Sequence, residues 1–185
     1  IGAIHAVVFS AFSPNALKAR LDDTEAKILI TADGYYRRGK IINLKQNAAE
    51  GIKETAVEKT IVVKRAKNEI SWDKEKDVWY EDLMKANEKD FCEAEAMDSE
   101  DLLFILYTSG STGKPKGCVH VCGGYTLQTK FTGKWIFDFH AEDIFWCTSD
   151  PGWITGHTYT IYSPLLNGIT TLMFEGAPDF PAKDW

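Results

Sequence analysis

The sequence lacks a basic surplus, a membrane-length apolar run, a CxxC pair and any internal repeat. Its 21 lysines and arginines are outnumbered by 27 aspartates and glutamates, for a formal charge of −6. A protein that binds nucleic-acid backbones needs a net basic surface to displace counterions, so the charge balance argues against that class. The longest apolar runs fall far below the roughly 18 residues that span a bilayer. No charged-then-apolar leader precedes a small-residue cleavage site, so a cytoplasmic protein is expected, organellar targeting being left open. Low-complexity tracts are missing too. Of the four cysteines (Cys92, Cys118, Cys122 and Cys147), two lie close to His120. Strand alternation would put Cys118, His120 and Cys122 on one face. Same-face neighbours are roughly 6.5 to 7 Å apart, too spread to share one ion without a bend. The expectation is ordinary reduced cysteines and no metal site.

What is present is a chain of 185 residues, 44% apolar, enough for one domain with a core. It begins at Ile1 inside an apolar run and ends at Trp185 after a Pro/Asp-rich turn, and both ends read as cut. Short β-rich runs alternate with helical ones, the pattern of an α/β layer architecture. His5 to Phe9 reads as a strand, Ser13 as an N-cap with Pro14 at the first helical position, and Lys27 to Thr31 as a strand closed by the turn pair Asp33-Gly34. A polar helix is expected over Lys45 to Glu58 and a strand over Thr60 to Val63. Lys64 to Ser99 reads as solvated surface with a short helix near Tyr80 to Ala86. Strands follow at Leu102 to Tyr107, Cys118 to Val121, Ile144 to Cys147 and Thr170 to Phe174. Helices are expected from about Tyr125 and after His157.

Between the strands ending at Tyr107 and starting at Cys118 lies Thr108-Ser109-Gly110-Ser111-Thr112-Gly113-Lys114-Pro115-Lys116-Gly117. Glycines let the backbone aim its N–H groups at one point, hydroxyls add donors and lysine adds charge, a composition suited to a phosphate chain. A Walker loop requires a second glycine five positions after Gly110, and position 115 is proline. Pro115 also biases Lys114 away from helical geometry, so the loop is not expected to run into a helix. A mobile linker is the plain alternative, weakened by the strands on both sides.

Tyr107 to Gly117, YTSGSTGKPKG, is similar over its full length to the phosphate-loop signature of the adenylate-forming superfamily of acyl-CoA synthetases, peptide-synthetase adenylation domains and luciferases. Trp146 to His157, WCTSDPGWITGH, resembles a segment of AMP-forming acetyl-CoA synthetases, as does Thr171 to Pro178, TLMFEGAP. Gly2 to His5, Phe12 to Pro14 and Ile30 to Asp33 fit the same subfamily. The resemblance runs nearly end to end and is weakest between about 45 and 99. It implies an α/β fold of layered sheets flanked by helices, with residues 1–185 forming part of the large N-terminal AMP-binding domain.

Such enzymes use Mg-ATP to turn a carboxylate into an acyl-adenylate, releasing pyrophosphate, and then pass the acyl group to coenzyme A. By the resemblance, Thr108, Ser109, Gly110, Ser111, Thr112, Gly113 and Lys114 wrap the β- and γ-phosphates. Trp153, Ile154 and Thr155 line the acyl pocket, Thr155 also facing the coenzyme A arm. Ile154 stands where valine is common, a methylene worth only about 1 to 3 kcal/mol of discrimination. Arg37, Arg38, Gly39 and Lys40 correspond to an Arg-x-Gly-Arg grip on the nucleotide end of coenzyme A. Lys40 cannot form the bidentate fork of arginine. Ser10-Ala11 replaces a common Gly-Gly, and Asp179 stands where asparagine is frequent.

The family's adenine-binding Gly-Glu-Pro segment, its magnesium and ribose carboxylate motifs and its small C-terminal domain with the catalytic lysine have no match here. The expected partners are therefore small molecules (acetate or another short acid such as propionate, ATP, Mg2+ and coenzyme A) and the remainder of the chain itself. The 185 residues alone are expected to be inactive. A non-catalytic nucleotide or coenzyme A module is the competing reading.

Overall fold

Ser13 and Pro14 begin the first helix as their chemistry predicts. In the computed structural model, which describes residues 1–108 and 115–176, helix α1 (Pro14–Thr24) is capped by the Ser13 hydroxyl, which accepts the Ala16 N–H at 3.3 Å. It ends at Glu25 in the left-handed region, φ 47°. The chain divides into two compact units, Ile1–Phe9 with Cys92–Phe174 and Ser10–Phe91 with Glu175–Trp185.

In the unit containing α1, β2 (Ile28–Ala32) pairs in parallel with β5 (Lys59–Val63), which pairs in parallel with β6 (Asp77–Trp79). Strand β2 puts Leu29 on the core side, where it packs with Leu17 and Ala26 on Leu21, Ile52 and Val57. Helix α2 (Leu44–Gly51) starts at Asn43, whose side chain accepts the Gln46 N–H at 3.0 Å. The expected helix to Glu58 stops seven residues early because Ile52 and Val57 turn into the core; a Cβ at Gly51 would also meet Leu17 Cδ2 at 2.9 Å. Between β2 and α2 stands a hairpin, β3 (Tyr35–Arg37) and β4 (Lys40–Ile42). Helix α3 spans Tyr80–Ala86, as the sequence indicates.

Lys64 to Ser99 is less uniformly solvated than its charge suggests. Ala66 and Asp77 are buried, and Trp72 stacks on Trp79 with ring centroids 4.4 Å apart. The Asp77 carboxylate pairs with the Lys45 ammonium at 2.8 Å, both side chains almost wholly enclosed. The reading as surface fails here because a counter-ion 32 positions upstream allows a carboxylate to be buried, and residue type alone cannot reveal that partner.

In the other unit, β1 (His5–Ala6) runs parallel to β7 (Leu102–Thr108), and β7 pairs antiparallel with β8 (Lys116–Val121). Only two of the five residues expected in the first strand pair. Helix α4 (Cys122–Trp135) follows β8 directly. Cys122 therefore leaves the strand, so the expectation that it shares a face with Cys118 and His120 is corrected. Its N–H bonds the Asp101 carbonyl, and the Gly123 N–H bonds the Ser99 carbonyl, which starts the helix three residues earlier than expected. Strands β9 (Ile144–Trp146) and β10 (Thr170–Leu172) pair in parallel. Between them run α5 (Ile154–Gly156), a π-helical segment (His157–Tyr162) and α6 (Ser163–Asn167). Helices α4 and α6 approach closely at Gly133, where a Cβ would lie 2.6 Å from both Asn167 Nδ2 and Ser163 Oγ. Among the described residues no helix is long and apolar enough to cross a membrane.

Candidate active site

Strand β7 carries Phe104, Leu106 and Tyr107 into the core, and its register with β8 pairs Thr108 with Lys116. Thr108 Oγ1 donates to the Lys116 carbonyl at 3.5 Å. Both ends of the Gly/Ser/Thr/Lys loop are thus tied to one antiparallel ladder. A Cβ at Gly117 would lie 2.9 Å from Ile105 Cγ2, so the ladder is close-packed next to the loop. After Pro115 the chain resumes as a strand and not a helix, in keeping with the bias proline places on Lys114. Ser109, Gly110, Ser111, Thr112, Gly113 and Lys114 lie outside the described residues, as does Asp179.

Beside β8 opens a cavity of about 550 Å³, bounded by β8, α4, α5 and the π-helical segment. Val119, Val121 and Ile154 give it apolar walls, and Gln128 and Thr155 give it polar ones. On its lining, Tyr125 Oη and Thr158 Oγ1 share a hydrogen bond of 2.8 Å. Burial raises the Tyr125 pKa, so the phenol stays protonated and able to donate. Ile154 and Thr155, two of the three residues expected at an acyl pocket, therefore come to one cavity. Trp153 is half exposed and sets its ring against Phe9, with centroids 5.8 Å apart.

The turn that delivers these residues is wound tightly. Asp150 Oδ1 accepts the Gly152 N–H at 2.7 Å, and the Asp150 carbonyl accepts the Trp153 N–H at 3.0 Å. A Cβ on Gly156 would lie 2.1 Å from the Asp150 carbonyl oxygen, and one on Gly152 would lie 2.7 Å from Phe9 Cα. Both glycines of the DPGWITGH segment are therefore required by close backbone approach.

Behind the cavity, aromatic rings surround the fully buried Phe104: His120 stacked at 4.5 Å, Tyr125 edge-on at 4.7 Å and His157 edge-on at 4.5 Å. His5 Nε2 lies 3.2 Å from His157 Nε2. Burial, then the nearby His5 and His120, push the His157 pKa down to about 4. Burial also lowers His5, against an opposing backbone hydrogen bond to Leu103, and lowers His120. In the sequence His157 is only the last letter of a motif, and nothing in its separation of 152 positions from His5 announces the contact.

In the other unit the Arg37 to Lys40 stretch forms the tip of the β3/β4 hairpin. Arg37 pairs with Lys40, and the two residues between them, Arg38 at φ 48° and Gly39 at φ 73°, both take the left-handed conformation of a type I′ turn. The four expected coenzyme A residues are therefore contiguous at one exposed tip. Two further groups brace this hairpin. Glu175 accepts the Tyr36 N–H at 3.1 Å and pairs with Arg65, whose guanidinium lies over the Tyr36 ring. Asp33 is buried, and its carboxylate accepts N–H groups from Gly34, Arg65, Ala66 and Lys67 at 2.7 to 2.9 Å. Burial acts to raise its pKa, but these four bonds to the ionised form outweigh it and the net shift is downward. The turn pair Asp33-Gly34 signalled only a turn; the backbone of residues 65–67 makes it a structural anchor.

Among the described residues no group of three or more His, Cys, Asp or Glu side chains converges to hold a metal ion. None is therefore assigned to Mg2+.

Residues 1–185 match the model of a family described as "AMP-binding enzyme". The chain is 52% identical over 185 residues to the acetyl-coenzyme A synthetase of Rubrobacter xylanophilus, covering all of this chain and 29% of that relative. It is 52% identical over 182 residues to acetyl-coenzyme A synthetase 2 of Pseudomonas aeruginosa, and 50% identical over 182 residues to the acetyl-coenzyme A synthetase of Methanothrix thermoacetophila. Each of these two alignments covers 98% of this chain and 28% of the relative. The chain thus spans less than a third of the length of these curated relatives. Matched from its first residue to its last, it belongs to the AMP-binding enzyme family.

Proposed function

We propose that this chain is the phosphate-loop portion of the large domain of a cytoplasmic, AMP-forming acetyl-CoA synthetase. The observation that carries the reading is that the strands flanking the YTSGSTGKPKG loop form one hairpin, β7/β8, beside a cavity bearing Ile154 and Thr155. In the reaction, a carboxylate oxygen attacks the α-phosphorus of ATP and the bond to the bridging oxygen breaks, releasing pyrophosphate. Negative charge moves onto that leaving group. Thr108 to Lys114 supply N–H, hydroxyl and ammonium donors to it, and donors held in place there favour the transition state. ATP enters as its Mg2+ complex, whose cation shares this charge. In the second half-reaction the thiol of coenzyme A attacks the acyl carbon and AMP leaves. Arg37, Arg38, Gly39 and Lys40 hold the nucleotide phosphates of coenzyme A. Ile154 and Thr155 line the cavity for the short acyl group, Trp153 packs on Phe9 at the head of the same turn, and Thr155 meets the pantetheine arm.

The test is acetate-dependent exchange of pyrophosphate into ATP, in a protein carrying this sequence at the full length of its relatives. Lys114→Ala is expected to lower the exchange rate by roughly 10²- to 10³-fold, the scale for removing one transition-state donor. Exchange absent with acetate, propionate and other short acids, while nucleotide or coenzyme A still binds, would replace this reading with the non-catalytic binding module.

A further inference from the structure

The turn that brings Ile154 and Thr155 to the cavity is held from behind by two side chains that follow it. Thr158 bonds Tyr125 on α4, and His157 turns into the core and meets His5 on β1. The His157 N–H also bonds the Trp153 carbonyl at 2.8 Å, so its ring and its backbone act on the same turn. His157 is 2% exposed, and its Nδ1 is buried with no hydrogen-bond partner among the described residues. The Nε2–Nε2 contact at 3.2 Å has room for one proton, so one ring donates and the other accepts.

Among the described residues, the rings against this pair are Tyr162 from the π-helical segment and the uncharged Phe104 from β7, with His120 of β8 near His157 and Tyr125 of α4 on the far side of Phe104. None of them supplies a negative charge at neutral pH. One added proton leaves a buried cation without a counter-ion among the described residues, and a second would set two N–H groups against each other.

We infer that His5 and His157 are a neutral, proton-sharing pair that positions Ile154 and Thr155 on the cavity, and that charging the pair releases the turn. His157 is thus a positioning residue for the acyl end of the reaction, which rests on the function proposed above.

Histidine-selective ¹⁵N NMR on the 185-residue chain, with the Ile154 and Thr155 amides followed in parallel, tests the pair without relying on activity. Both rings are expected neutral at neutral pH, with Nε2 protonated in one and bare in the other. The two amides should shift on acidification with the midpoint of His157, near 4. In the full-length enzyme, His5→Phe keeps ring volume and removes the bond, whereas His5→Gln can still bond Nε2. The first is expected to raise the acetate KM several-fold with the ATP KM unchanged, and the second to stay within about two-fold of the parent. A charged His157 at neutral pH, or Ile154 and Thr155 amides indifferent to its titration, would overturn the inference. An acetate KM unaffected by His5→Phe in an active enzyme would do the same. Absence of exchange in the parent enzyme counts against the proposed function only, and the NMR result then decides the pair.

Discussion

A single hydrogen at Gly156 allows the Ser149–Asp150 backbone to lie directly on the turn before His157. Gly156→Ala has no flexible side chain to push aside, since the atoms in its way are the Asp150 carbonyl and the Ser149 oxygen at 2.1 to 2.6 Å. We expect a loss of about 1 to 3 kcal/mol or more in urea unfolding. The cavity should suffer first, because Ile154 and Thr155 sit on the displaced turn. His157 and Asp33 both contribute to the response to acid. His157 has a folded pKa near 4, below its unfolded value of 6.5, so the unfolded state binds more protons between the two. Its contribution is roughly 3 kcal/mol, since each pH unit separating the folded and unfolded values corresponds to about 1.4 kcal/mol. That contribution is present above pH 6.5 and is lost as pH falls towards 4. Asp33, with its pKa lowered, loses its contribution in the same direction, as pH falls below the ordinary carboxylate value. Thermal melts from neutral pH downwards should show a steady fall in Tm. His157→Phe should flatten the part of that fall between 6.5 and 4.

At the scale of elements, two buried ionic features hold α2 and the hairpin to the three-stranded sheet. Lys45 on α2 meets Asp77 on β6, and Asp77 also accepts the Asp73 N–H at 2.8 Å. Lys45→Met leaves a buried carboxylate without its cation and is expected to cost about 3 to 5 kcal/mol. The double substitution Lys45→Met with Asp77→Leu should recover most of that loss, because two apolar groups need no solvation. Chemical denaturation of both single variants and the double variant gives the coupling directly. Asp33 performs the corresponding task for the hairpin by binding the backbone of residues 65–67. It thereby ties β2 to the segment after β5, and Arg65 in that segment meets Glu175 and Tyr36.

Over the whole chain, the match to relatives covers 28 to 29% of their length, and the proposed activity needs residues beyond it. The purified 185-residue polypeptide is expected to give no acetate-dependent release of pyrophosphate. Turnover in that assay would show that the phosphate loop and cavity suffice without an adenine site or a C-terminal domain.

Local chemistry was readable along the chain without the fold. Ser13-Pro14 specified a helix start and Pro115 a return to strand, because each depends on neighbours within a few positions. The α/β class followed from alternating runs, and the family from the motif segments that these runs carry. Long-range partners were decided by the tertiary structure. Lys45 and Asp77, Asp33 with residues 65–67, Glu175 with Arg65, and His5 with His157 lie 32 to 152 positions apart. Burial and pairing are properties of the folded surroundings, so a charged residue in an acidic stretch and a histidine in a motif look the same in sequence whether they face water or each other. The loop's frame, two strand ends closed by Thr108 and Lys116, belongs to the first class. The packing around the cavity, with His157 against His5 and Thr158 bonded to Tyr125, belongs to the second.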